Sequence, residues 1–580
     1  VITDWGGSND HALGVKNGST LEMPAPGGDS VRELLAALES GKISESDIDA
    51  RLSELLPLVF DTKAALDAAP REFDAAAHHA LARRAAEESL VLLKNEGALL
   101  PLAADTKVAV IGDFAKNPRY QGAGSSMVNS TQVDVLLDKL IDSAVNVIGY
   151  QQGFDRHGKP DAALQKSACE LAVQADAVVL CMGLDEIAES EGLDRSNLRL
   201  AQNQVELLQA VKAVNPKIVV VLYSGSVVET PWLDNCQALL YAALGGQAGA
   251  GAVADALIGK VNPCGKLAET WPLTYADVPS AADFATRRKT VEYREGLYIG
   301  YRYFTTAKKA VRFPFGYGMS YTTFAYSDMA ADEQGVSLTV TNTGSVAGTE
   351  IVQLYVAKKN SEHFRPAREL KGFARVTLAP GEKQRITIAL DDKAFRFWNV
   401  KADRWEIEGG AYALLVGASV EDIRLCEKIS VQGTATVHPY EDVDLGCYYK
   451  GDVLSVSDAD FEKLLGHPIP DGKTKIDRNL TLGELNHARS PLGWLVWLVL
   501  TVLLDASYKR GKPDLNILFQ YNMPLRALAK MTNGAISMGM VDGIVMELQG
   551  FWILGLVRVI YEAIKNVVLN AQMEKRLRGA

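Results

Sequence analysis

The spacing of apolar residues changes along the chain, and the first change separates two predicted domains. In residues 1–68, two short apolar stretches, Val1–Trp5 and Thr20–Met23, alternate with helical patterns, which predicts two strands and their helices. In residues 69–323, continuous apolar runs such as Ala177–Cys181 lie between helical stretches. That pattern predicts an α/β sandwich whose mostly parallel sheet is covered by helices on both faces.

Two helices are predicted in the first of these domains. One covers Val31–Leu38, with Asp29 and Ser30 as candidate N-cap residues, and the other opens at Ser44 and runs to about Leu66.

The second half of the chain changes character twice more. Residues 324–432 carry short alternating strands separated by turn signals such as Asn342-Thr-Gly, which predicts a β-sandwich. Residues 433–580 lose this pattern and are predicted to be largely helical. Their most apolar run, Leu492–Leu504, is shorter than the roughly 20 residues of a membrane span. We therefore expect buried or partner-facing helices here, with a membrane-associated segment as the alternative.

Composition and charge exclude several classes of protein. The apolar fraction of 48% and the charged fraction of 23% are those of a globular multidomain protein. A net charge of −11 argues against nucleic acid as a partner. None of the six cysteines forms a CxxC pair or zinc-ligand spacing, so we expect reduced, mostly buried thiols and a cytoplasmic protein.

Asp4 is the first candidate for chemistry. It ends a predicted strand, the position at which α/β barrels carry their active-site residues. Trp5 beside it offers a flat apolar face to a sugar ring. On these residues alone, a turn or helix-cap role for Asp4 stays open.

A loop after the strand that ends at Gly183 is the second candidate. Crowded carboxylates raise one another's pKa, which suits a general acid, but a solvated acidic loop is the alternative. The acids surround a single arginine, Arg195; they are Asp185, Glu186, Glu189, Glu191 and Asp194. The nearby Gly-rich stretch Tyr120–Ser126 lacks the lysine of a phosphate-binding loop, so we interpret it as a tight structural loop near the site.

These stretches, taken in order, resemble glycoside hydrolase family 3. Val1-Ile-Thr-Asp-Trp-Gly is similar to the family's nucleophile signature, and Glu191-Gly-Leu-Asp-Arg to its acid/base loop. Other motifs continue the match through about residue 430, the last being similar to the family's fibronectin type III-like domain. They include Leu21-Glu-Met-Pro, Glu88-Ser-Leu-Val-Leu-Leu-Lys-Asn-Glu-Gly, Leu244-Gly-Gly-Gln-Ala-Gly, Asn262-Pro-Cys-Gly-Lys-Leu, Phe315-Gly-Tyr-Gly-Met-Ser-Tyr and Glu369-Leu-Lys-Gly-Phe.

The resemblance implies a retaining glycosidase that needs no metal or cofactor. Asp4 would be the nucleophile and Glu191 the acid/base, with Glu189 as the competitor for the second role. Trp5 would pack against the sugar, and Asp194 and Arg195 would hold the loop at the substrate site. The implied substrate is a terminal β-D-glucosyl residue of a β-linked oligosaccharide or of an aryl or alkyl glycoside. β-Xylosides and α-L-arabinosides are the rivals.

The sequence also departs from the family. A complete barrel needs about 250 residues, so we expect residues 1–68 to be the C-terminal remnant of one and the chain to be an inactive fragment. The aspartate, arginine and Lys-His pair that the family draws from earlier barrel strands have no counterpart. A non-catalytic sugar-binding or structural remnant is the alternative, and homo-oligomers stay possible.

Overall fold

The computed structural model describes residues 1–68, 72–284, 290–510 and 514–579. The chain forms two compact units. One contains residues 1–73 and 472–580, and the other contains residues 74–471.

In the first unit, the two predicted strands are reduced to a single parallel bridge between Ile2 and Leu21. Further bonds extend the alignment, because the Thr3 amide donates to the Leu21 carbonyl at 3.0 Å and the Gly6 amide to the Met23 carbonyl at 3.1 Å. The two segments therefore run side by side, as neighbouring strands of a parallel barrel do.

Helices make up most of the rest of this unit. The predicted helix from Ser44 is confirmed, because the Ser44 and Asp47 side chains form a reciprocal capping box. The predicted N-cap at Asp29 or Ser30 is wrong: that helix begins at Gly28, and Ser30 instead donates to the buried Glu22 carboxylate. The helices are His11–Lys16, Gly28–Glu39, Glu45–Asp67, Pro491–Lys509, Leu515–Asn522, Leu525–Met531, Met538–Leu548 and Trp552–Gly579.

A buried ion cluster joins the two ends of the chain within this unit. Lys530 is buried, and its Nζ lies 3.3 Å from Glu22 Oε1 and 3.0 Å from Glu33 Oε2. Burial alone would lower the pKa of Lys530, but the charges of Glu33 and Glu22 outweigh it and leave the pKa raised. His11 Nδ1 completes the cluster, 3.1 Å from Glu22 Oε2.

The second unit is built on the predicted α/β sandwich. Its six-stranded sheet is parallel except at one edge, where Val91–Asn95 runs antiparallel to its neighbour. Ala177–Gly183 is buried along its whole length, so helices cover both faces, as predicted. The strand order is Val91–Asn95, Ala238–Tyr241, Ile218–Tyr223, Ala177–Gly183, Lys107–Ile111 and Asn146–Gln151. The helices of this domain are Ala75–Ser89, Leu136–Ile141, Ala162–Ala172, Gln202–Val214, Gly249–Leu257 and Tyr301–Thr306.

The predicted β-sandwich follows in the same unit. It consists of a three-stranded and a four-stranded antiparallel sheet whose inner faces share one apolar core. In sheet order, the first contains Lys383–Ala389, Gly335–Asn342 and Phe324–Asp332, and the second contains Glu369–Leu378, Gly348–Lys358, Gly410–Gly417 and Ile423–Val431. A ribbon of Arg396–Asn399 and Arg404–Ile407 lies beside them.

The stretch predicted as one C-terminal extension, 433–580, is divided between the two units. Its first part, including the helices Gly446–Lys450 and Asp458–Leu465, packs in the second unit around a separate aromatic core. There the Tyr448 hydroxyl donates to the Arg294 carbonyl at 2.9 Å. From Gly472 onward the chain belongs to the first unit.

One described helix, Pro491–Lys509, is long and apolar enough to cross a membrane, judged by length and composition alone. Only 17% of its most apolar 18-residue window is buried. The expectation of a buried helix is therefore wrong for this run, while a partner-facing surface and a membrane-associated segment stay predictions.

Replacing Lys530 tests the buried cluster. Lys530→Met removes the cation that Glu22 and Glu33 share, leaves the buried Glu22 with His11 and Ser30 as its partners, and should lower the free energy of unfolding of the first unit by about 3 kcal/mol. Native-state hydrogen exchange of amides in Gly28–Glu39 would measure the loss. The matched control is Lys63→Met, because Lys63 pairs with Asp67 at the surface and should contribute less than about 1 kcal/mol. Equal effects of the two substitutions would contradict the account.

Candidate active site

Asp4 lies at the end of the bridged pair in the first unit and is exposed. Its Oδ1 accepts a hydrogen bond from the Trp5 amide at 2.6 Å. The Trp5 ring is also exposed, so neither side chain is committed to the apolar core. The Thr3 hydroxyl accepts from the Met23 amide at 2.8 Å, which fixes the backbone just before Asp4.

The C-terminal helices lie next to this segment. Gly6 has a φ of +76°, and a Cβ built on it would lie 3.3 Å from the Met531 sulfur. Gly27, with a φ of +71°, leaves even less room, since its Cβ would lie 2.9 Å from the Asn533 carbonyl oxygen. Residues 531–533 therefore pack directly on the turns that follow Asp4 and Pro24.

In the second unit, the acidic loop is fastened to the neighbouring strand through Glu189. Glu189 Oε2 accepts from the Gly225 amide at 2.8 Å, and Oε1 accepts from the Ser226 hydroxyl at 2.7 Å. Gly225 and Ser226 follow the strand Ile218–Tyr223, which pairs in parallel with Ala177–Gly183. Both carboxylate oxygens of Glu189 are thus used to hold the loop.

Glu191 is placed differently, on the Gly-rich stretch. Its side chain is exposed and accepts from the Ser125 amide at 2.5 Å, while its own amide donates to the Ala123 carbonyl at 3.0 Å. Gly124 has a φ of +114°, and a Cβ there would lie 2.5 Å from the Glu191 Cβ. Only glycine fits this close approach. The Gly-rich stretch therefore serves as a support for the acidic loop.

The remaining acids of the loop have partners of their own. Glu186 receives the Arg156 guanidinium at 2.5 Å, and Asp185 lies 2.8 Å from His157 Nδ1. Arg195 donates to the Ser226 hydroxyl at 2.9 Å and to the Val227 carbonyl at 3.0 Å. Burial lowers the pKa of Arg195. Asp194 is exposed. The sequence predicted that all five acids surround Arg195; instead Glu189 acts on the Arg195 charge and shares the Ser226 hydroxyl with it, whereas Glu186 and Asp185 bind Arg156 and His157.

These hydrogen-bond partners lower the pKa of two carboxyl groups, which crowding was predicted to raise. The Ser125 amide hydrogen bond holds the pKa of Glu191 below its ordinary value. Burial would raise the pKa of Glu186, but the hydrogen bond and charge of Arg156 outweigh it and the pKa is lowered. The prediction that crowding raises these pKa values is wrong for both residues, because each carboxylate binds a separate donor instead of facing another acid.

Several contributing residues were missed by the sequence analysis. Arg119 is almost fully buried and donates to the Glu189 carbonyl at 3.1 Å. Arg156 and Ser226 complete the framework of the loop. Lys530 supports the Asp4 segment through Glu22. Arg119 directly precedes the Gly-rich stretch, and this position is the one feature of the sequence that could have indicated its role. Nothing in the local pattern marks Lys530.

Asp4 and Glu191 belong to different units. Their convergence on one sugar stays a prediction, as do the packing of Trp5 against the sugar and the support of the substrate-site loop by Asp194 and Arg195.

Comparison with known proteins gives the relationship. Residues 90–321 match the glycosyl hydrolase family 3 C-terminal domain, and residues 350–420 match the fibronectin type III-like domain. The thermostable beta-glucosidase B of Acetivibrio thermocellus is 42% identical over 451 residues, which cover 75% of this chain and 59% of that protein. An exo-alpha-(1->6)-L-arabinopyranosidase of Bifidobacterium breve is 40% identical over 455 residues, 76% of this chain and 60% of the relative.

The chain thus spans about three fifths of the length of these curated relatives. Among solved structures, the GH3 beta-glucosidase of Bifidobacterium adolescentis superposes with a TM-score of 0.72 at 40% identity, over 78% of this chain and 68% of that one. The order of the motifs, the two matched domains and this superposition agree, and the chain belongs to glycoside hydrolase family 3.

Proposed function

We propose that this chain carries the catalytic pair of a retaining β-D-glucosidase, with Asp4 as nucleophile and Glu191 as general acid/base. The observation that carries the proposal is the different hydrogen bonding and exposure of two acids in the acidic loop, Glu189 and Glu191. Glu189 is part-buried against two donors in the turn after the neighbouring strand, whereas the Glu191 carboxylate is exposed and bonded, among the described residues, to Ser125 alone, through the backbone amide and the side chain of that serine. Of the two competing residues, Glu191 is therefore the one free to reach a substrate.

The proposed reaction is a double displacement. The Asp4 carboxylate attacks the anomeric carbon while Glu191 gives its proton to the departing glycosidic oxygen, which leaves a covalent glycosyl ester on Asp4. Glu191, now a carboxylate, removes a proton from water, and the resulting oxygen nucleophile displaces Asp4. The sugar leaves with its configuration retained, and both acids return to their starting states.

The first step requires a protonated Glu191. Bound to the Ser125 amide, Glu191 is stabilised as a carboxylate, because that hydrogen bond favours the charged form. We propose that Glu191 leaves this amide when substrate binds, so that the hydrogen bond no longer favours the charged form over the proton-donating one. Retention requires two carboxyls about 5–5.5 Å apart at the sugar.

The alternatives to a β-D-glucosidase are a glycosidase with another substrate and a protein without catalytic activity. The relative from Bifidobacterium breve, named as an arabinopyranosidase, favours an α-L-arabinoside as second substrate, and β-xylosides remain a rival. The other alternative is a non-catalytic sugar-binding or structural role. It rests on the bridged pair Ile2–Leu21, because two strands cannot close a barrel.

A hybrid with a complete barrel tests the catalytic roles. The part of the Acetivibrio thermocellus relative that this chain does not cover would be fused ahead of Val1, and hydrolysis of p-nitrophenyl glycosides measured. We expect β-glucoside turnover, a loss of at least about 10³-fold in Asp4→Asn, and a large loss in Glu191→Gln that shrinks with leaving groups needing no proton.

Glu189→Gln is the matched control for Glu191→Gln. Because Glu189 anchors the loop, its substitution should lower kcat by a similar factor for good and poor leaving groups. If the loss of turnover depended on the leaving group in Glu189→Gln and not in Glu191→Gln, Glu189 would be the general acid/base and Glu191 the residue that supports the loop. Faster turnover of the xyloside or the α-L-arabinoside than of the glucoside would reverse the substrate assignment.

The 580-residue polypeptide alone is expected to show no glycosidase turnover, since a bridged pair of segments leaves the barrel open and Asp4 without a closed pocket. The assay is release of p-nitrophenol from the β-glucoside at high protein concentration. Turnover that disappears in Asp4→Asn would refute this expectation.

The protonation of Glu191 can be followed at the Ser125 amide. Because the pKa of Glu191 is depressed, the contact stabilises the loop at neutral pH and is lost as pH falls through that lowered pKa. In NMR spectra of selectively labelled protein, the Ser125 amide shift should titrate with a midpoint below 4.5, the ordinary value. The titration should vanish in Glu191→Gln. A midpoint above 4.5 would contradict this assignment.

A further inference from the structure

The helix Pro491–Lys509 turns its most apolar side to the solvent. Gly493, Leu504 and Ser507 are its buried residues. The opposite side is exposed and recurs with helical spacing, at Leu492, Leu495, Val496, Val499, Val502 and Leu503. Asp505 is exposed but lies off this stripe. A surface helix of a soluble domain normally shows the reverse arrangement.

The last helix, Trp552–Gly579, repeats this inversion. It packs on Met538–Leu548 through small residues, since a Cβ on Gly543 or Gly555 would lie within 3 Å of the facing helix. Its outer face is again aliphatic and exposed, at Ile553, Leu556, Val557, Ile560, Ile564 and Val567.

The two helices begin side by side. The Trp552 indole donates to the Arg489 carbonyl at 3.3 Å, and the Arg489 amide donates to the Leu548 carbonyl at 2.8 Å. Their first turns thus form one exposed tip, which we call the aromatic tip. Its members are Leu492, Trp494, Leu495, Phe551, Trp552, Ile553 and Leu554.

The aromatic tip itself carries no charged side chain, in a chain whose net charge is −11. Within residues 489–504 and 548–561 the charged residues are Arg489 and Arg558, of which Arg558 pairs with Asp542. The acids Asp505, Glu547 and Glu562 lie next to these ranges, and Lys509 and Arg510 follow at the far end of the first helix. Tryptophan and aliphatic side chains with basic residues near the helix ends are found on surfaces that insert into the lipid interface.

We propose that the aromatic tip and the two apolar stripes dock on a lipid bilayer, with the helices lying in the interface. The buried side of Pro491–Lys509 is already packed on its own unit, around Leu485, Leu504 and Leu548, so lipid replaces only the water on its outer side. The surface would hold the protein on a membrane as a peripheral protein, independently of whether it has glycosidase activity.

Binding to vesicles tests the proposal with the full chain. The protein should float with phosphatidylcholine vesicles in a density gradient, and high salt should weaken this little, because the attachment is mainly apolar. The double variant Ile553→Ser/Leu554→Ser removes side chains that are 80% and 60% exposed, so the fold should be kept. Its vesicle binding should fall at least about tenfold, since each aliphatic side chain buried in lipid contributes to the affinity.

Phe60→Ser/Leu66→Ser is the matched control. These side chains belong to the same unit and are 66% and 81% exposed, but they lie on the helix Glu45–Asp67. The control should float like the unaltered protein. Failure of the unaltered protein to float, or equal loss in both variants, would overturn the proposal. A third outcome would also overturn it: light scattering shows a dimer, Ile553→Ser/Leu554→Ser makes it dissociate, and the protein binds no vesicles. The exposed face would then join two copies of the chain.

Discussion

The bond between the Glu189 carboxylate and the turn at Gly225 and Ser226 determines how the acidic loop lies. Parallel strands end at one edge of the sheet, so a loop leaving one strand can be fastened to the turn leaving the next. With both oxygens of Glu189 used in this way, the chain continues over the Gly-rich stretch, and Glu191 faces solvent above Gly124. An anchored acid and an exposed acid two residues apart are the basis of the proposed catalytic assignment.

The segment that carries Asp4 has a different kind of support. It is paired with the neighbouring segment by the bridge between Ile2 and Leu21 and by a few flanking backbone hydrogen bonds. The buried ion cluster of Lys530 with Glu22 and Glu33 ties it to helices near the other end of the chain. Removing one charge of such a cluster destabilises the folded unit, because the charges that remain are buried without their partner. The C-terminal helices are therefore a structural part of this unit.

The α/β sheet could be predicted because strands such as Ala177–Gly183 are continuous apolar runs, and the β-sandwich because its strands alternate between apolar and polar residues. Asn146–Gln151 is partly exposed and begins and ends with polar residues, so neither pattern marks it. The helix start at Gly28 was missed because Ser30 binds Glu22, a contact that local pattern does not reveal. Lys530 and Glu33 are 497 residues apart in sequence, and only the folded structure brings them together.

The direct test of the catalytic pair is to trap the covalent intermediate. In the hybrid with a complete barrel, Glu191→Gln should still accept a glycosyl group from 2,4-dinitrophenyl β-glucoside, whose leaving group needs no proton, but should release it slowly for lack of a base. Mass spectrometry of the protein digested during turnover should then find one hexosyl group on Asp4. A glycosylated residue other than Asp4, or rapid turnover with no adduct, would contradict the account.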